Sequence, residues 1–211
     1  MTYRFRVVVY VLLALVGYVL PWVISEGSAL SMGAYDLSEW TSLHPLNREA
    51  AIPLITSGLL RLPLALVGIY LVTTAAQVRL FSGGWWVLAV SLGIFVLASM
   101  PPLEWLTEAP RDPNYLQQAV ITAGLVIAGL IALSTILNRR LVSLIQVLVL
   151  GIALIAAWTG FYQAIALFQQ LELVMAIGSG LILFSMAVAV AMLDAYVHTK
   201  RVNQTGLPSN D

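Results

Sequence analysis

"PLITSGLLRLPLALVGIYLVTTAA", Pro53–Ala76, is apolar over most of its length and carries one charge, Arg61. A helix needs roughly 20 apolar residues to cross a hydrocarbon core of about 30 Å, and this stretch supplies them. Composition extends the point to the whole chain. Of its 211 residues, 60% are hydrophobic and 9% are charged, whereas soluble domains carry about 25% charged residues. Mean hydropathy is +0.93. A bilayer solvates such a chain; water does not.

Runs of the same kind predict six spans, at about 7–24, 53–76, 84–100, 118–137, 141–161 and 171–193. The expected fold is all-α: a polytopic transmembrane bundle in one domain over residues 1–200, followed by a short polar tail at 201–211. "MTYRFR" before the first apolar run also has the form of a signal peptide; here it reads as the start of a retained span. Arg4, Arg6, Arg79, Arg139, Arg140, Lys200 and Arg201 fall on the face shared by the termini, and Arg48 and Arg111 on the other. Lys and Arg are held on the cytoplasmic side during insertion. Both termini are therefore expected in the cytoplasm of a bacterial-type inner membrane, with the larger loops outside. Trp22, Trp40, Trp105, Trp158, Tyr18, Tyr115 and Tyr162 are expected in an outer aromatic belt, and Trp85 and Trp86 at the inner boundary.

A central arginine costs about 2.5–3.5 kcal/mol even on insertion scales, so the depth of Arg61 matters. Counting 1.5 Å per residue up from Arg79 puts Arg61 about 6 Å below the outer boundary. Counting from Glu49 puts it roughly 18 Å deep. Its helical face carries Ser57, Gly58, Ala65 and Gly68, small residues that let helices approach, so it is expected to face protein. Pro63 lacks the N–H that would bond the Leu59 carbonyl. By depth, Glu26, Glu104 and Asp112 are the expected partners. The competing reading gives Arg61 an anion, a lipid phosphate or the head of a quinone.

Other chemistry is largely excluded. There is no cysteine, hence no thiolate metal site, disulfide or thiol nucleophile. The two histidines, His44 and His198, belong to opposite faces, which excludes a shared haem. Ser179 and His198 are separated by about 28 Å along one helix, too far for a Ser–His pair. Every acid lies at an interface or in a loop, whereas ion-coupled transporters usually carry one inside the spans. The outer loop "EAPRDPN" lacks calcium-loop spacing. Zero net charge leaves no footprint for nucleic acid. A lipid-acting enzyme would need at least two of Glu39, His44, Glu104 and Asp112 to converge.

Small-residue stripes remain. Ala89/Gly93, Gly124/Ala128/Ala132, Ala153/Ala157/Gly160 and the pair Gly178/Gly180 predict close helix packing, within the chain or against partner subunits. "GAYDLSEWTSL", Gly33–Leu43, predicts a short surface helix with Leu37, Trp40 and Leu43 inward and Asp36 and Glu39 toward water. The leading expectation is a non-catalytic accessory subunit of a larger membrane complex, of an electron-transfer or energy-converting kind. It would carry no intrinsic cofactor and would contact membrane lipid or quinone. The alternative is a small-solute facilitator with Arg61 as its selecting charge.

Overall fold

The computed structural model describes residues 2–25, 27, 29–134 and 136–205; the side chains of Gln77, Arg139 and residues 201–205 lie outside that description. In chain order the elements are α1 (Tyr3–Val19), β1 (Val23–Ser25), β2 (Ser31–Met32), α2 (Ala34–Leu43), α3 (Pro45–Arg48) and α4 (Ile55–Thr73). A 3-10 turn (Thr74–Gln77) leads to α5 (Gly83–Ser99), α6 (Trp105–Glu108), α7 (Pro113–Leu133), α8 (Arg139–Gln169), β3 (Met175–Ile177) and α9 (Ser179–Thr205). Among the described residues, four stretches are long and apolar enough to cross a membrane: Ile55–Ala76, Pro113–Leu133, Arg140–Gln169 and Ser179–Lys200. The expectation of six stands at four by this measure, because α1 and α5 have only 17 residues each.

Local chemistry explains where the helices start. Thr2, Ser82 and Asn138 accept from the backbone N–H three residues on, at 3.4, 3.4 and 2.8 Å. These bonds satisfy donors that a helix N-terminus otherwise leaves open. Asp112 caps α7 with Pro113 in its first turn, a position where the missing N–H costs nothing.

Several expected boundaries are corrected. α7 covers Pro113–Leu133 and not 118–137, α8 runs on to Gln169 and not 161, and α9 runs to Thr205 into the expected tail. The first and sixth spans lose their outer ends to strands. The first span was expected to run to Ile24, but α1 ends at Val19 and Val23–Ser25 form a strand. The sixth was expected from Leu171, but Met175–Ile177 form a second strand before α9 begins. These two strands pair antiparallel, Val23 opposite Ile177, and β1 also pairs with β2. Short apolar runs cannot be divided between helix and strand by periodicity alone; here the pairing partner lies about 150 residues away in sequence, where no local pattern records it.

α4 is the central helix. It packs against α8, α7, α2, α5 and α1, while α9 packs on both α1 and α8. The three-stranded sheet and α2 cover one end of the bundle. At the other end Arg6 Nε donates to Asp194 Oδ2 at 3.0 Å, and Tyr3 stacks on His198 with ring centroids 4.1 Å apart. The first turns of α1 and the last turns of α9 therefore share that end. Trp22 and Tyr18, expected in an aromatic belt, are core residues instead. The Trp22 indole donates to the Gly17 carbonyl at 2.9 Å.

A buried polar chain ties the terminal end together. Tyr3 Oη donates to Gln146 Oε1 at 2.8 Å, and Gln146 Nε2 donates to Thr73 Oγ1 at 3.1 Å. Gln146 has no solvent exposure, so truncating it removes the buried acceptor of Tyr3 Oη and leaves Thr73 Oγ1 only its bond to the Tyr70 carbonyl at 2.6 Å. Gln146→Ala is expected to cost about 2 kcal/mol, read as a lowered unfolding midpoint in mild detergent.

The small residues divide into two groups. Ala65 and Ala157 are buried. A Cβ at Gly58, Gly68 or Gly160 would press on Gln117, Phe95 or Leu60, and at Gly178 or Gly180 on the backbone of Pro21 or Leu20. Gly93 and Gly124, also expected to be packed, have open space where a Cβ would stand, and Ala128 is half-buried.

Candidate functional site

The backbone sets the depth of Arg61. Residues 49–54 are turns, not helix, so counting helical rise from Glu49 fails. Arg61 is the seventh residue of α4, about 9 Å from its first. The start of α4 is held tightly. Leu54, buried at 1% exposure, sits at φ 59°, a left-handed conformation that is uncommon for a leucine. Its N–H donates to the Asn47 carbonyl at 2.8 Å. Its carbonyl accepts from Ser57 Oγ at 2.9 Å and from Gln117 Nε2 at 2.8 Å. α4 then runs unbroken through Pro63, and the Tyr18 hydroxyl of α1 donates to the Leu60 carbonyl at 3.0 Å.

Arg61 itself is 7% exposed, and two neighbouring helices, α2 and α7, converge on it. Nη2 donates to Glu39 Oε1 of α2 at 2.8 Å. Nη1 donates to Asn114 Oδ1 at 2.7 Å and to Gln117 Oε1 at 3.3 Å, both on α7. Gln118 Nε2 donates to the same Glu39 oxygen at 3.0 Å. The expected partners are thus corrected. Asp112 caps α7 and accepts from Arg48 Nη2 at 3.5 Å, Glu104 is solvent-exposed, and Glu26 lies outside the described residues.

Glu39 escaped the sequence reading because α2 was oriented by its apolar residues alone. Leu37 is buried and Trp40 stacks on Phe168, with centroids 3.9 Å apart, but Leu43 is exposed at 71%. Glu39 turns toward α4, not toward water alone. Asn114 and Gln117 escaped because "PNYLQQ" reads as loop; α7 begins at Pro113 and carries both on its first two turns. The one available signal was spacing: Asn114, Gln117 and Gln118 recur at three and four, one helical face.

The electrostatic result is a neutral cluster. Arg61 is matched by Glu39 and Arg48 by Asp112, so no surplus positive charge is left at either pair. Beside them Tyr35 is 51% exposed; partial desolvation first, then the Glu39 carboxylate, push its hydroxyl above the ordinary phenol range. It stays protonated, a neutral donor.

One opening adjoins the cluster and a second shares Met100 with it. A cavity of about 20 Å³ is lined by Tyr18, Tyr35, Arg61, Ser99, Met100 and Gln118, among others. A larger groove of about 350 Å³ lies between the end of α5, α6 and α7, lined by Met100, Pro102, Trp105, Leu106, Thr122 and Val126 among others. Three buried polar atoms at these openings have no hydrogen-bond partner: Arg61 Nε, Ser99 Oγ and Trp105 Nε1. Among the described residues, no three His, Asp or Glu gather as they would around a metal ion.

Helices of this length and hydropathy point to a membrane protein, and its most elaborate polar cluster sits under α2 at the sheet-covered end. Comparison with protein-family models, with curated proteins and with solved structures finds no match to the chain.

Proposed function

We propose that this protein is a non-catalytic subunit of a larger membrane assembly. In this reading all six long helices span, including α1 and α5 at the lower limit of about 17 residues. Both termini face the cytoplasm by the distribution of Lys and Arg. The observation that carries the subunit reading is the outer face of α5 and α7. Only Leu88, Leu92 and Phe95 of α5 are buried, while Val90, Ile94 and Leu97 of α5, with Ile127 and Ile131 of α7, are exposed. Gly93 and Gly124, one on each helix of this face, have open space among the described residues where a Cβ would stand. Glycine in a helix interior costs roughly 0.5–1 kcal/mol relative to alanine. Close approach of a partner helix offsets that cost.

Gentle detergent extraction is expected to bring partner proteins down with the chain. Gly93→Leu combined with Gly124→Leu should abolish that recovery while leaving helicity and the unfolding midpoint close to wild type. A chain that runs as a lone monomer and conducts solute in liposomes would overturn the reading. The facilitator alternative has less support, because Glu39 neutralises the charge it relies on.

A further inference from the structure

The unpartnered polar atoms beside Arg61 are all capable of donating. Arg61 Nε–H and the Trp105 indole N–H are donors only, and the Ser99 hydroxyl donates as readily as it accepts. Buried donors without acceptors are rare in folded proteins and call for an occupant. The cavity that Arg61 and Ser99 line has room for about one oxygen-sized group, since roughly 10–15 Å³ suffices for a water. The groove that Trp105 lines is apolar and much larger, and Met100 lines both. The two openings meet at Met100, the narrow one offering two donors and the wide one an apolar body with a third donor along it.

Charge narrows the chemistry. With Arg61 held by Glu39 at 2.8 Å and Arg48 by Asp112 at 3.5 Å, the cleft presents donors without surplus positive charge. A phosphate or free carboxylate buried there would find Arg61 already paired with Glu39 and no other cation among the described residues lining either opening to match it. A carbonyl oxygen accepts from the same donors without that penalty. The groove also opens among exposed Leu103, Leu106 and Ile127, as suits an occupant that arrives from hydrocarbon.

We infer that this cleft binds an uncharged, carbonyl-bearing membrane amphiphile. One carbonyl accepts from Arg61 Nε and Ser99 Oγ, the apolar body lies in the groove against Pro102, Leu106 and Val126, and Trp105 Nε1 donates to a second oxygen. Two sources share this chemistry, the ring of a quinone and the ester linkage of a glycerolipid. The site rests on the membrane placement proposed above, not on the presence of partner subunits.

The test uses full-length protein in detergent, stripped of retained lipid, with decylubiquinone and dioleoylglycerol, an uncharged diester, as separate probes. Binding of either is expected at about one molecule per chain, and whichever probe binds identifies the source. Ser99→Ala should weaken it about five-fold, the effect of one hydrogen bond. Ala123→Trp, which fills the groove from an exposed position on α7, should weaken it at least ten-fold. Arg61 is left intact because it holds three helices together, and circular dichroism verifies that both variants keep their helicity. Wild-type protein that binds neither probe would overturn the site, and so would either variant binding as wild type does. Loss of partner proteins in the extraction experiment leaves this test unaffected.

Discussion

Glu39→Ala is expected to destabilise the folded chain by about 3 kcal/mol, more than removal of its partner Arg61. The asymmetry follows from burial. Arg61 is 7% exposed and the Glu39 side chain 36%, so deleting the acid strands a cation away from water. Breaking a buried pair from one side typically costs 3–5 kcal/mol. The lower end applies here, because Asn114 and Gln117 still accept from the guanidinium and solvent already weakens the pair at Glu39. Arg61→Met leaves a carboxylate that water and Gln118 still solvate, at an expected cost of about 1–2 kcal/mol. The double variant should then be more stable than Glu39→Ala alone, with a coupling of at least 1 kcal/mol. Reversible unfolding in mixed detergent micelles, followed by far-ultraviolet circular dichroism, measures all four corners of the cycle. Additive single effects would mean that the pair does not hold α2 onto α4.

The pair also shows what the sequence could and could not convey. The apolar runs that form α4, α5 and α7 are legible because hydrocarbon-length stretches have few alternatives. The isolation of Arg61 in one of them marked the site. Its partner was not legible, because α2 reaches α4 only after the chain has folded back through β1, β2 and the turns at 49–54. Depth along a single helix, the only ruler a sequence supplies, selected Glu104 and Asp112 because they lie at the ends of neighbouring spans. The strand Met175–Ile177 was hidden for a similar reason: its register is set by Val23–Ser25, at the far end of the chain. Small residues were legible as a class but not by direction. Four-residue spacing marks Gly93 as clearly as Gly68, yet Gly68 meets Phe95 and Gly93 meets nothing among the described residues.

That difference in direction leads to the second large effect. α1 and α9 approach so closely that a Cβ on Gly17 would stand 2.5 Å from the Phe184 backbone nitrogen, and one on Gly180 would collide with the Leu20 carbonyl. The obstacle is backbone in both cases, so no side chain can rotate away. Gly17→Ala and Gly180→Ala must separate the helices or displace the chain that enters β1, where the Gly180 N–H donates to the Pro21 carbonyl at 2.8 Å. Overpacking of this kind typically costs 1–3 kcal/mol, and with rigid neighbours about 3 kcal/mol is expected for each. Gly93→Ala and Gly124→Ala face open space and should instead stabilise the isolated chain by about 0.5 kcal/mol, through helix propensity alone. The opposite signs make the comparison decisive, since all four changes add one methyl group to a helical glycine. Thermal unfolding of the four variants in one detergent should rank both core substitutions well below wild type and both outer ones at or above it. If Gly17→Ala unfolds with the outer pair, α1 and α9 do not cross as closely as their glycines allow.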